Sequence, residues 1–118
     1  VEEGYEPGDI VITNDPYSGY LATHTPDIVM WKPIFHEGRI IAFAGSHIHN
    51  VDVGGAVPPS LSRALTDVHQ EGIRIPPMKL YRKGVLDEAL LKLLLTNVRI
   101  PEQNWGDLQS QVAAQWCL

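Results

Sequence analysis

The chain has 118 residues, the length of about one domain, and its composition of 44% hydrophobic and 19% charged residues is typical of a folded globular protein. This composition excludes an intrinsically disordered chain, because enough apolar surface is available to offset the entropy lost on folding. Fourteen acidic residues against nine basic ones give a formal net charge of −5 with no basic run, which argues against nucleic acid as a partner.

Neither a disulfide framework nor a membrane segment is predicted. Cys117 is the only cysteine, so no internal disulfide can form, and we expect a cytoplasmic protein. No stretch approaches the roughly 18 to 20 apolar residues that span a bilayer, so no membrane association is expected. Because the first residue is Val1 rather than Met, we interpret residues 1–118 as a single domain or as a fragment of a larger subunit.

The chain begins with a turn and a strand. A turn at residues 6–9 contains Pro and Gly and precedes the β-branched run 10–13, which is typical of a buried strand. Asn, Asp and Pro at residues 14–16 are expected to end this strand. The Asn and Asp side chains can hydrogen-bond the nearby backbone, and Pro has no N–H group to donate to a neighbouring strand. A polar loop is expected from there to Pro26.

A β-hairpin is predicted next. Residues 28–35 and 39–48 are apolar, partly alternating runs joined by the short segment 36–38, which indicates two antiparallel strands. Residues 50–59 contain two adjacent glycines and two adjacent prolines, so this segment is expected to be a loop with sharp bends.

Helices are predicted mainly in the second half. Residues 60–70 favour a short helix that stops near Gly72, and residues 79–85 favour a small hairpin. Residues 86–97 form the clearest helix, because acids occupy its first turn and leucines form one broad face. A second helix is predicted over 101–116. The predicted fold class is therefore α+β, with antiparallel strands in the first half packed against helices in the second half.

Polar and titratable side chains concentrate in two windows at strand ends. The first window contains Asn14, Asp15, His24 and Asp27, and the second contains His47, His49 and Asp52. Neighbouring antiparallel strands can bring such windows within ligand distance of each other. Imidazole nitrogens with carboxylate oxygens hold Zn, Mn or Fe and leave water positions open, which suits hydrolysis or Lewis-acid activation.

The residue types alone leave a structural interpretation open. In it, His24 and His49 are hydrogen-bonded loop histidines, and Asp15 and Asp52 cap turns, as Asp commonly does before Pro or Gly. The pair at 54–55 resembles an anion-binding backbone nest, but no phosphate-binding loop motif surrounds it, so ATP is not expected to bind this chain.

Several short motifs follow one another in a fixed order. They are Gly8-Asp9, Asn14-Asp15-Pro16-Tyr17, Thr23-His24-Thr25-Pro26-Asp27, His49 with Asp52-Val53-Gly54-Gly55, Glu71-Gly72-Ile73-Arg74-Ile75-Pro76-Pro77, Asn97-Val98-Arg99, Pro101-Glu102-Gln103 and Gly106-Asp107-Leu108. Together they resemble the hydantoinase B, oxoprolinase and acetone carboxylase family over nearly the entire chain. The chain departs from the family at residues 19–24, where many relatives have Gly-Gly-Thr-His, and it is several-fold shorter than a full B-type subunit.

The resemblance implies a B-type subunit that forms a hetero-oligomer with an A-type subunit, and the A-type partner is the one that uses ATP. The metal ligands of the family fall on His24, Asp27 and His49, which implies a divalent metal such as Mn, Zn or Fe. Asp15 and Asp52 match other acids of the motifs and are candidates for the general base.

The function that the resemblance implies is ATP-dependent hydrolysis of a cyclic amide, such as a hydantoin or an oxoproline. A metal-activated water would attack the amide after the partner has phosphorylated its oxygen, and this chain alone is expected to be inactive. Two alternatives stay open. One is the alpha-type subunit of an ATP-dependent ketone carboxylase, in which the same ligands stabilise an enolate, and the other is a non-catalytic assembly module.

Overall fold

A five-stranded antiparallel sheet forms the centre of the computed structural model, which describes residues 1, 3–18, 24–50, 52–56 and 67–117. The strands are β1 (Ile10–Thr13), β2 (Asp27–His36), β3 (Arg39–His49), β4 (Met78–Arg82) and β5 (Val85–Leu86), in the order β3-β2-β1-β4-β5. The helices are α1 (Val68–Glu71), α2 (Glu88–Thr96) and α3 (Pro101–Trp116), and a 3-10 turn covers Pro16–Ser18. The predicted α+β class is confirmed.

The hairpin of β2 and β3 carries the candidate site at its open end. There, Asp27 in β2 lies directly opposite His49 in β3. At the closed end, Glu37 and Gly38 adopt φ values of 51° and 76°, as a two-residue turn that follows the twist of antiparallel strands requires. The hairpin predicted from the alternating apolar runs is therefore confirmed.

The hydrophobic core lies between one face of the sheet and helices α2 and α3. It contains Ile10, Ile12, Ile28, Met30, Val53, Ile75, Leu80, Leu90, Leu94, Leu108 and Val112. A polar contact also ties α3 to β2, because the Gln111 Nε2 donates to the backbone carbonyl of Ile28 at 2.9 Å. The strand face that carries the candidate site is the opposite one, since side chains alternate along each strand.

The sheet is completed by a hairpin from the second half of the chain. β4 pairs with β1, and β4 and β5 turn at Lys83 and Gly84, where the small hairpin was expected. Helix α2 begins at Glu88 rather than at Leu86, because Leu86 pairs in β5 and Asp87 is the N-cap. The Asp87 carboxylate accepts the Leu90 N–H at 3.0 Å and so satisfies a free amide of the first turn.

The segment between the two halves of the fold is only partly described. The helix predicted over 60–70 falls mostly outside the described residues, and α1 covers Val68–Glu71 before Gly72. Gly72 has φ 133° and forms an isolated bridge with Gly54, so the loop after β3 and the loop before β4 contact each other. Among the described residues, none of the helices has the length and hydrophobicity of a transmembrane segment.

We expect Gly8→Ala to destabilise the fold more than Gly38→Ala. Both glycines have positive φ, of 87° and 76°, so each substitution incurs a backbone cost of about 1 to 2 kcal/mol. A Cβ at Gly8 would also lie 2.6 Å from the backbone nitrogen of Gly84, whereas a Cβ at Gly38 meets nothing within 4 Å. Urea unfolding should therefore show an additional loss of about 1 to 3 kcal/mol for Gly8→Ala. Equal losses would contradict this packing argument.

Candidate metal centre

The candidate centre lies where the loop before β2 meets the end of β3. Asp27 is the first residue of β2 and His49 the last residue of β3, and they are direct cross-strand partners. Directly opposed residues point to the same face of a sheet, so their side chains meet. His24 approaches from the loop, three residues before Asp27.

Backbone hydrogen bonds hold the loop that carries His24. The Asp27 N–H donates to the His24 carbonyl at 3.0 Å, which closes a turn, and the Asn50 N–H donates to the Pro26 carbonyl at 2.7 Å. The fully buried Asn14 side chain donates to the Thr25 carbonyl at 2.7 Å. The loop that carries His24 is therefore held by the residues that directly follow β1 and β3.

Three donor atoms converge at this point. His24 Nε2 lies 3.1 Å from Asp27 Oδ1, and His49 Nδ1 lies 3.3 Å from the same oxygen. One donor atom from each of the three residues lies within 4.8 Å of the others. Bonds of about 2.0 to 2.2 Å to a shared ion place neighbouring donors about 3 to 3.5 Å apart, so the two shorter separations fit a divalent metal. The structure thus brings together the three residues that the sequence analysis named as ligands.

Exposure increases from the carboxylate outward. The side chain of Asp27 is 9% exposed, that of His24 is 27% exposed and that of His49 is 39% exposed. The carboxylate is thus held inside the protein while both imidazoles border solvent. A group bound by these three donors would face the open side, where a substrate can reach it.

His47 was grouped with the polar window but received no role from the sequence. Its Nε2 lies 3.6 Å from Asp27 Oδ1, the same oxygen that His24 and His49 approach. The signal that could have identified it is its spacing of two residues from His49 in a strand, which places both side chains on one face.

Asp15 makes a bidentate ion pair instead of joining the three donors. Arg74 Nε and Nη2 donate to its two carboxylate oxygens at 3.0 and 3.1 Å, and the Tyr17 N–H donates to Oδ1 at 3.1 Å. The hydrogen bond to Asp15 raises the pKa of the Arg74 guanidinium above its ordinary value. The guanidinium also lies 5.1 Å from the centroid of the Tyr17 ring.

Asp52 fastens the loop after β3 to the start of α3. Its carboxylate accepts the Arg99 N–H at 2.8 Å, the Gly54 N–H at 3.0 Å and an ion-paired Nη1 of Arg99. The Asn104 side chain donates to the Asp52 carbonyl at 2.6 Å. Sequence reasoning did not identify the partner Arg99, because 47 residues separate it from Asp52.

Neither acid belongs to the group of three donors, and a general-base role for Asp15 or Asp52 stays a prediction. The remaining histidines lie in other places. His36 is at the closed end of the hairpin beside Glu37, at 3.7 Å, and His69 is an exposed residue of α1.

Comparisons with known proteins bear on the family and the fold of the chain. The family model for Hydantoinase B/oxoprolinase matches residues 1–117. The chain is 37% identical over 107 residues to caprolactamase subunit beta from Pseudomonas jessenii, covering 91% of this chain and 18% of that subunit. The crystal structure of the ATP-dependent caprolactamase from Pseudomonas jessenii superposes with a TM-score of 0.88 at 34% identity, covering 98% of this chain and 20% of that one.

A second solved structure is the nucleotide-free acetone carboxylase. It superposes with a TM-score of 0.81 at 28% identity, and the match covers 93% of this chain and 14% of that one. The chain spans less than a fifth of the length of the curated relatives it matches. Because the family model matches the chain almost from end to end, the chain belongs to the hydantoinase B/oxoprolinase family.

Proposed function

We propose that this chain supplies the metal centre of a B-type subunit in an ATP-dependent cyclic amide hydrolase. The observation that carries the proposal is the convergence of His24, Asp27 and His49 on one point of a fold that belongs to this family. The relatives are named as a caprolactamase subunit and an ATP-dependent caprolactamase, which supports a lactam or a related cyclic amide as the substrate class.

The donor set supports a divalent cation such as Mn, Zn or Fe. Two imidazole nitrogens and one carboxylate oxygen are ligands that these ions share, and they leave positions open for water or substrate. A divalent ion held there would lower the pKa of a coordinated water and polarise a substrate oxygen. His24, Asp27 and His49 would hold the ion, and Asn14 would keep the His24 loop in place.

The proposed reaction needs a partner. An isolated amide resists water, and phosphorylation of its oxygen creates a leaving group that removes much of this barrier. We propose that an A-type subunit performs this ATP-dependent step. The proposal is supported by the caprolactamase relative, which is named as one subunit, beta, of its enzyme. The histidines and Asp27 would then position the activated amide for hydrolysis at the open side of the centre. A cytoplasmic location is part of the same proposal.

If Asp15 or Asp52 is the general base, its carboxylate must accept a proton while it is ion-paired with an arginine. Arg74 occupies both oxygens of Asp15, and Arg99 with Gly54 occupies those of Asp52. A positioning role for these acids is the alternative that their contacts favour. Asp52→Asn separates the two roles, because loss of a base alters the pH dependence of kcat, whereas loss of a positioning contact lowers kcat at every pH.

The first test is elemental analysis of the purified chain together with its His24→Ala and His49→Ala variants. We expect stoichiometric Mn, Zn or Fe in the unmodified chain and a loss of metal in both variants. His36→Ala, which removes an exposed histidine at the other end of the same hairpin, is the matched control and should keep its metal. A chain without any metal would support the assembly-module alternative.

The second test addresses the reaction and uses the full-length subunit with its A-type partner. We expect ATP hydrolysis to depend on a lactam, a hydantoin or oxoproline, with release of the ring-opened product. The ketone carboxylase alternative is supported by the structural match to acetone carboxylase. Activity that requires a ketone and bicarbonate, with none on cyclic amides, would establish that alternative and overturn our proposal.

A further inference from the structure

His47 is a third histidine whose imidazole lies close to Asp27 Oδ1, the oxygen that His24 and His49 also approach. The distances from Asp27 Oδ1 to the imidazole nitrogens of His24, His49 and His47 are 3.1, 3.3 and 3.6 Å. All three contacts involve the same carboxylate oxygen, Oδ1. The three rings therefore surround one common point.

The sheet register explains why His47 reaches this point. His49 lies opposite Asp27, and His47 lies opposite Val29, the next residue of β2 on the same face. His47 is thus the diagonal neighbour of Asp27, at a range of about 7 to 8 Å that long side chains can bridge. Regular strand pairing holds its backbone, so its ring is directed to the centre by the fold.

The His47 side chain is the outermost of the set. It is 52% exposed, against 39% for His49 and 27% for His24. Its nitrogen lies near Asp27 but outside the compact group formed by the other three donors. An exposed ring has room to rotate, and a small movement would bring its nitrogen into the spacing of about 3 to 3.5 Å that ligands of one ion adopt.

We propose that His47 is a fourth protein ligand of this centre, on its solvent-facing side. The inference rests on the proposed metal site and adds a donor to it, so that the chain offers three imidazole nitrogens and one carboxylate oxygen. With four protein donors, an ion that accepts five or six ligands retains open positions for water and substrate, whereas a tetrahedral ion does not. His47 would therefore influence which metal the centre selects.

The test measures metal binding by the chain rather than turnover. Co²⁺ is titrated into the unmodified chain, His47→Ala and the matched control His36→Ala, and the affinity and the visible absorption spectrum are recorded. We expect His47→Ala to bind Co²⁺ about 10- to 100-fold more weakly and to show a shifted spectrum with weaker bands, since water replaces an imidazole. His36→Ala should match the unmodified chain in both measurements.

The outcomes separate this inference from the metal site on which it rests. Equal affinity and an unchanged spectrum in His47→Ala would overturn ligation by His47 and leave the three-donor centre intact. Weaker binding with an unchanged spectrum would also overturn ligation by His47, and it would mean that His47 contacts Asp27 but not the ion. No Co²⁺ binding by the unmodified chain, with circular dichroism showing it folded, would overturn the metal centre and this inference together.

Discussion

Asp27→Asn is expected to weaken divalent metal binding by more than about 100-fold. Loss of a group that only orients a ligand commonly costs 10- to 100-fold in affinity, and Asp27 provides the only carboxylate oxygen among the three converging donors. The amide keeps the size of the side chain but removes its negative charge, so the two imidazoles would remain without the anionic donor. Equilibrium dialysis or calorimetry with Mn²⁺ or Zn²⁺ measures the change.

Glu37→Gln is the matched control for this substitution. Glu37 lies at the closed end of the same hairpin, its side chain is 84% exposed, and it is far along β2 and β3 from the donors. Removing its charge should leave the metal affinity unchanged. Metal binding by Asp27→Asn at the affinity of the unmodified chain would show that the ion is held by other residues.

Asp9→Ala is expected to lower the free energy of unfolding at pH 7 by about 3 to 5 kcal/mol, because it leaves a buried ammonium group without its main partner. Lys79 Nζ lies 2.8 Å from Asp9 Oδ2, and the two side chains are only 6% and 1% exposed. The same carboxylate accepts the N–H groups of Glu6 at 2.7 Å and Lys83 at 2.9 Å. Asp9 therefore joins the turn before β1 to the turn between β4 and β5.

Glu3→Ala separates the buried pair from a peripheral one. Glu3 also contacts Lys79, at 3.8 Å, but its side chain is 49% exposed and solvent screens the interaction. Its removal should cost less than about 1 kcal/mol in urea unfolding. If Asp9→Ala and Glu3→Ala lowered the free energy of unfolding by similar amounts, the buried pair of Asp9 and Lys79 would not be the main source of this stabilisation.

The stabilisation from Asp9 should also depend on pH. Burial opposes ionisation of Asp9, but the hydrogen bonds from Lys79, Glu6 and Lys83 outweigh it and hold its pKa below the ordinary value of 3.8. The unfolded chain then binds more protons than the native chain between the two pKa values, so stability falls as pH decreases. The difference in unfolding free energy between the unmodified chain and Asp9→Asn should reach its maximum above pH 3.8. It should decrease as the pH falls through the lowered pKa of Asp9. A difference that does not change with pH would contradict this.

Local sequence patterns were sufficient for most of the secondary structure. Alternation over the hairpin strands, acids at the start of α2 and Pro101 at the start of α3 each act within a few residues, and these elements are confirmed. The start of α2 differs because Leu86 pairs with Tyr81 in a strand. That pairing depends on β4, and the periodicity of the helix could not reveal it.

The amino-acid sequence was sufficient to predict the fold class, the order of the elements and, through its motifs, the family. The gathering of His24, Asp27 and His49 was predicted from motifs, and the structure shows the register that brings them together. The approach of His47 to the same oxygen could not be predicted from the motifs, because it depends on the pairing of β2 with β3.

The pairing of the charged groups also depends on long-range packing. Asp15 with Arg74, Asp52 with Arg99 and Asp9 with Lys79 are separated along the chain by 59, 47 and 70 residues. Local propensity depends on neighbouring residues of one helix or strand, so it cannot predict contacts between residues this far apart along the chain. These contacts form only when the loops and sheet edges are packed together, because packing buries the three carboxylates and a buried carboxylate requires a partner.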